Sequence, residues 1–210
     1  MKRFLPFIIV AVVGLVTIGA GVMLYRAKRP QTTAIPKAMA ASKERGEEVH
    51  VRGPANAAVT LEEYGDFQCP PCGGLEAPLQ QIERDYASSL RVIFRNFPFT
   101  IHEHAHEAAY AAEAAGLQGR FWEMHDLLYE NQDRLEDELL VELTQELHLA
   151  PAQLQEALET KEFQPRVRAD FSGGVRSGVN GTPTFFINGQ RHDGAYDFAS
   201  LVEAIDRVLE

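Results

Sequence analysis

The sequence predicts an α/β domain with a large helical insertion, and three observations predict it. Residues 58–64 and 90–96 are strand-like runs around a stretch where Leu75, Leu79, Ile82 and Tyr86 recur at helical spacing, which makes a β-α-β unit. The region from about 103 to 176 is rich in Ala, Leu, Glu and Gln and keeps to helical patterns. After it the strand period returns, with Asn188-Gly189 as a tight hairpin turn and an amphipathic helix to close.

The chain begins differently. Phe4 to Tyr25 is an uncharged apolar run of about 22 residues, enough to cross a bilayer core as one transmembrane helix. Lys2 and Arg3 flank one end, and Arg26, Lys28 and Arg29 the other. The run exceeds the apolar core of a cleavable signal, and Ala38-Met39-Ala40 lies too far beyond it to serve as a cleavage site. Residues 1–29 are therefore expected to be an uncleaved membrane anchor. Pro6 falls in its first turn, where proline is tolerated. Residues 30–52 show no sustained periodicity and read as a tether, leaving residues 53–210 as one domain of about 158 residues, large enough for a full core.

Charge excludes some functions. All 30 acidic residues follow the apolar run, while five of the 20 basic ones lie within or beside it, so the body is strongly acidic. Such a surface does not bind nucleic acid or an anionic membrane face by electrostatics. Within the body, helices are expected over residues 104–117, 119–132, 136–147, 151–159 and 162–177, and a closing helix over 198–209 that presents Leu201, Ile205 and Val208 on one face.

The chemistry concentrates at Asp66-Phe67-Gln68-Cys69-Pro70-Pro71-Cys72, which holds both cysteines of the chain. The first strand ends at Gly65, so Cys69 should stand at a helix N-terminus, where unpaired N–H groups and the helix dipole stabilise a thiolate. Cys69 is the candidate nucleophile, and Cys72, one turn further in, the resolving thiol. A disulfide closing so short a loop would constrain little of the unfolded chain. A zinc site needs ligands that no other cysteine supplies. Dithiol-disulfide exchange is the chemistry this motif beside a β-α-β pattern points to.

Cys69-Pro70-Pro71-Cys72 at a helix start, with Gly181-Thr182-Pro183-Thr184 before a late hairpin, resembles the thioredoxin fold, and the intervening helices resemble its DsbA-like branch. Membrane-anchored bacterial DsbA-like thiol-disulfide oxidoreductases are the nearest in appearance. Phe121-Trp122-Glu123-Met124-His125-Asp126 and Phe185-Phe186-Ile187-Asn188-Gly189 add to the likeness, which covers about residues 50–210. The resemblance implies that Pro183 is a cis-proline beside the cysteines and that Thr182 presents its backbone to an extended substrate, with Pro70 and Pro71 also at the substrate face. It implies a buried acid beneath the disulfide at Glu63, able to exchange a proton with Cys72. Glu62 competes for that place, because a shift of one residue reverses the strand face. Strand alternation favours Glu63, which shares a face with Leu61. Pro71 departs from the family's strong oxidants, which carry His there, and proline offers neither charge nor N–H. A less depressed Cys69 pKa is expected, with Asp66 and Glu76 pushing the same way if they lie close.

Other features are weighed against plainer readings. His102, His104 and His106 suggest a metal cluster, but at helical spacing at most two converge, and helix-entry roles are favoured. Phe121, Trp122, Met124, Leu127 and Leu128 read as helical core. Gly173, Gly174 and Gly178 lie away from any phosphate-binding loop. No metal or organic cofactor is expected. The expected function is a membrane-tethered oxidoreductase that introduces disulfides into cysteine-containing polypeptides on the outer face of the membrane. Basic residues at both ends of the anchor leave its orientation to the chemistry, since disulfides persist outside the cytoplasm. The resemblance implies a DsbB-like integral-membrane redox partner. Two readings stay open: a reductase using the same thiols, and a copper-delivery module in which the soft thiolates take Cu(I) with His192 as third ligand.

Overall fold

The strand-helix-strand unit fixes the centre of the molecule, and in the computed structural model, which describes residues 50–210, it forms as the sequence predicts. Strand β1 (Val51–Arg52) is followed by β2 (Val59–Gly65), α1 (Pro70–Asp85) and β3 (Leu90–Asn96). Helices α2 (Ala105–Gly116), α3 (Phe121–Glu130), α4 (Asp137–Glu146), α5 (Pro151–Thr160) and α6 (Gln164–Arg176) make the insertion, and β4 (Thr184–Ile187), β5 (Gln190–Arg191) and α7 (Phe198–Leu209) complete the fold. The sheet order is β1-β3-β2-β4-β5. Strand β2 runs parallel to β3 and antiparallel to β4, so it is central and buried on both faces.

That position explains β2's composition. Val59 and Leu61 join Leu75, Leu79 and Ile82 of α1 and Leu201 and Ile205 of α7 in a core on one face. Tyr64 packs on the opposite face with Phe97 and Phe186, against Phe171 of α6. A third core gathers Phe67, Cys69, Cys72 and Phe94 with Phe121, Met124 and Leu128 of the insertion. The aromatic stripe on α3 is thus core, and it is core directly beneath the cysteines.

The helices fall within two residues of expectation. Proline at the first turn starts α1, α5 and α6, where the missing N–H costs no hydrogen bond. Asn188 and Gly189 both take positive φ, 47° and 77°, and turn β4 into β5 as their sequence predicts. Two details differ. The stretch ending at Arg52 carries no strand signal, yet Val51 and Arg52 pair antiparallel with Ile93 and Val92 at the free edge of β3. Val208, expected on the face of Leu201 and Ile205, is 42% exposed, while those two are buried. The expected anchor over 1–29 and the tether up to residue 49 lie outside the described residues. Among the described residues no helix is long and apolar enough to cross a membrane.

Candidate active site

Cys69 caps α1, with Pro70 and Pro71 as its first two residues, both exposed at the helix tip. The N–H groups of Cys72 and Gly73 donate to the Cys69 carbonyl at 3.0 and 3.3 Å, so the first turn is wound directly on the nucleophile's own backbone. Both thiols are free, Cys69 7% exposed and Cys72 1%. The Thr182–Pro183 bond is cis and brings the Thr182 carbonyl to the site, where it accepts a hydrogen bond from the Cys69 thiol at 3.3 Å.

The two sulfurs ionise in opposite senses. A hydrogen bond from Cys72 is the main cause that lowers the Cys69 pKa to about 6; burial opposes it, Thr182 and the Cys72 N–H add to it, and the Asp66 charge works against it. Cys72 is pushed well up, by burial first, then by its role as donor to Cys69 and by the Glu63 charge. One site therefore holds a ready thiolate and, a turn deeper, a thiol that keeps its proton.

Glu63 and Glu62 take opposite faces of β2, as alternation requires, and neither is a solvated edge carboxylate. Glu63, 3% exposed, lies on the α1 face, and burial pushes its carboxyl well above the usual range, helped by the charges of Glu76, Glu83 and Cys69 and opposed by Arg52. Glu62, 5% exposed, turns to the α6 face and accepts a 2.9 Å hydrogen bond from Arg95. Glu63 is thus the acid on the cysteine side.

Some residues of the site carry no local sequence signal. Gln132, just past α3, donates from Nε2 to the carbonyls of Phe67 and Cys69, each at 2.8 Å, and clamps the loop that delivers the nucleophile. Tyr129 of α3 is buried with its hydroxyl unpartnered, and burial followed by the charges of Cys72, Glu63 and Glu76 raises its pKa well above normal. The histidines of the 102–106 segment diverge. His102 bonds Asp66 at 2.8 Å, the His104 N–H donates to Gln68 Oε1 at 2.7 Å, and the His106 ring packs near Tyr110. His192 is occupied by the Ala195 carbonyl at 3.1 Å and the Ser200 hydroxyl at 3.2 Å. Among the described residues the donors that converge within 4.8 Å are Glu76, His125 and Asp126, a set without either cysteine.

A family profile described as Thioredoxin matches residues 45–207. The chain belongs to the thioredoxin family. Oxidised BdbD from Bacillus subtilis superposes with a TM-score of 0.69 at 26% identity, over 76% of this chain and 91% of that one. A thioredoxin-like oxidoreductase from Silicibacter pomeroyi gives 0.70 at 26% identity, over 78% and 94%. The α-DsbA2 protein of Wolbachia pipientis, at 16% identity and a TM-score of 0.73, shares the fold. Residues of this chain are also 44% identical over 157 positions to a protein of Salinispora arenicola named Na(+)/H(+) antiporter NhaA 1. That match takes in 74% of this chain but spans about a quarter, 24%, of the antiporter protein.

Proposed function

We propose that the protein is a membrane-tethered thiol-disulfide oxidoreductase that introduces disulfides into cysteine-containing polypeptides outside the cytoplasm. The observation that carries this reading is the placing of the two thiols, Cys69 at the tip of α1 against the Thr182 carbonyl before the cis-proline and Cys72 enclosed a turn deeper. A Cys69 pKa near 6 keeps that sulfur ionised at neutral pH, which stabilises the reduced pair and makes the Cys69–Cys72 disulfide the stronger oxidant.

The cycle follows from the geometry. A substrate thiolate attacks the Cys69 sulfur of the disulfide; the S–S bond breaks and its electron pair leaves on Cys72. Cys72 then takes a proton, which Glu63 is placed to supply, since its carboxyl stays protonated above the usual range. A second substrate thiolate displaces Cys69 as a thiolate. Two substrate thiols have lost two electrons and two protons; the pair has gained two electrons and the Cys72 proton, and the other proton goes to solvent. The exposed Pro70 and Pro71, and Thr182 and Pro183, whose cis bond brings the Thr182 carbonyl to the Cys69 thiol, form the surface along which an extended substrate backbone would lie. Reoxidation requires an acceptor, and the apolar run of residues 4–25 supports a membrane partner of the DsbB type, quinone-linked, with the catalytic body on the extracytoplasmic side.

Pro71 and Asp66 favour a second reading. The dipeptide between the cysteines brings no cation to the thiolate, and Asp66 raises its pKa, both of which favour a reductase. Equilibration of the full-length protein with glutathione decides. A potential near about −120 mV supports the oxidase, while one near about −270 mV sinks it and leaves the reductase.

A further inference from the structure

We propose that His102 is a positioning residue for Cys69, supplying through Asp66 the positive charge that the Pro70-Pro71 dipeptide does not. The inference rests on Cys69 being the nucleophile.

Asp66 lies between the end of β2 and the cysteine loop with its carboxylate fully buried. It holds that loop, because Oδ1 accepts from the Gln68 N–H at 2.8 Å and the Asp66 carbonyl accepts from the Cys69 N–H at 3.0 Å. Its other oxygen takes two donors from across the cleft, the Phe99 N–H and the His102 ring Nδ1, each at 2.8 Å. Of these side-chain and backbone donors to the carboxylate, the imidazole alone can change charge. The ring is 22% exposed, so it reaches solvent protons while remaining bonded to a carboxylate that water does not reach. The segment that carries it is fastened a second time, where the His104 N–H donates to the Gln68 side chain. His102 is therefore held in place beside the nucleophile's loop.

The consequence is electrostatic. A bare carboxylate beside Cys69 disfavours its thiolate, and an imidazolium on that carboxylate cancels much of the effect. Cys72 of α1 and Glu63 of β2, which also act with the Cys69 charge, have no cationic form. An imidazolium at His102 thus favours the Cys69 thiolate.

The test is the thiolate absorbance of the reduced full-length protein against pH, with the oxidised protein as baseline, for wild type, His102→Gln and His102→Lys. The Gln variant should raise the Cys69 pKa by roughly half a unit or more and cut alkylation by iodoacetamide at pH 6 about twofold. The Lys variant, a permanent cation, should keep the wild-type value or lower it, and 1 M salt should narrow the gap between Lys and Gln. An unchanged pKa in the Gln variant overturns the proposal. An equal rise in Gln and Lys also overturns it, since that pattern means the ring acts by packing and not by charge. These outcomes are separate from the oxidase reading, which the glutathione potential tests. They are separate from the nucleophile assignment too, which fails if Cys69 of the wild type is not the thiol alkylated first.

Discussion

At the scale of residues, two neighbouring thiols behave differently because one meets hydrogen-bond donors at a helix tip and the other is enclosed. Cys72→Ser should leave Cys69 able to form mixed disulfides but unable to be released by its partner thiol, so a cysteine peptide accumulates on the protein as a covalent adduct visible by mass. Cys69→Ser should form none. Glu63 gives a pH-dependent prediction. Its carboxyl keeps its proton in the folded state at pH values where the unfolded chain has lost it. Below its unfolded pKa the group is neutral in both states and costs nothing. Above it, stability falls by about 1.4 kcal/mol per pH unit until the folded carboxyl also ionises. Glu63→Gln removes this loss, so its stability gain over wild type should be small at pH 4 and grow toward pH 8. Urea unfolding of the oxidised protein, which has no thiol to titrate, measures it; a gain independent of pH would refute the burial argument.

At the scale of elements, two glycines near the site should respond to alanine with opposite sign. A Cβ at Gly65, where β2 ends, would lie 2.4 Å from Phe94 Cε2 and 2.7 Å from the Tyr129 hydroxyl, inside the aromatic cluster under the cysteines. Gly65→Ala should cost roughly 1–3 kcal/mol. Gly74, in α1, has nothing within 4 Å of such a Cβ, so Gly74→Ala should stabilise by about 0.5–1 kcal/mol through helix propensity. Thermal midpoints of both variants check the pair. The same contrast explains what could be read from the sequence. Element order, the cysteine motif and the Asn188-Gly189 turn follow from local spacing, while the cysteine-side acid comes from the family resemblance, with alternation deciding for Glu63 over Glu62. Gln132 gives no such signal, because its role is to meet the Phe67 and Cys69 carbonyls more than 60 residues away. Strand β1 exists because β3 offers a free edge, and His50 before it is held by the distant Glu113 at 2.8 Å and by stacking on Phe121. His102 showed as one of three histidines, but its partner Asp66 lies in another element, and their pairing is a product of the fold.

At the scale of the whole molecule, sheet and insertion are joined by charge as well as by apolar packing. Arg95 of β3, 1% exposed, donates from Nε to Glu62 of β2 at 2.9 Å and from Nη1 to Asp170 of α6 at 3.4 Å. Arg166 also faces Asp170 at 3.4 Å, whose pKa burial raises and the two arginines lower. Ion pairs taken out of water return little net stability, because desolvation offsets the attraction, but removing one member leaves the others buried without compensation. Arg95→Met should therefore cost about 3–5 kcal/mol, read as a lower urea midpoint. Arg95→Met with Glu62→Leu should recover part of that loss, since the buried carboxylate that Arg95 faces on β2 is gone and Arg166 still answers Asp170 on α6. If the double variant is no more stable than the single, the cost belongs to lost packing of the arginine stem, and the charge network is not what fastens α6 to the sheet.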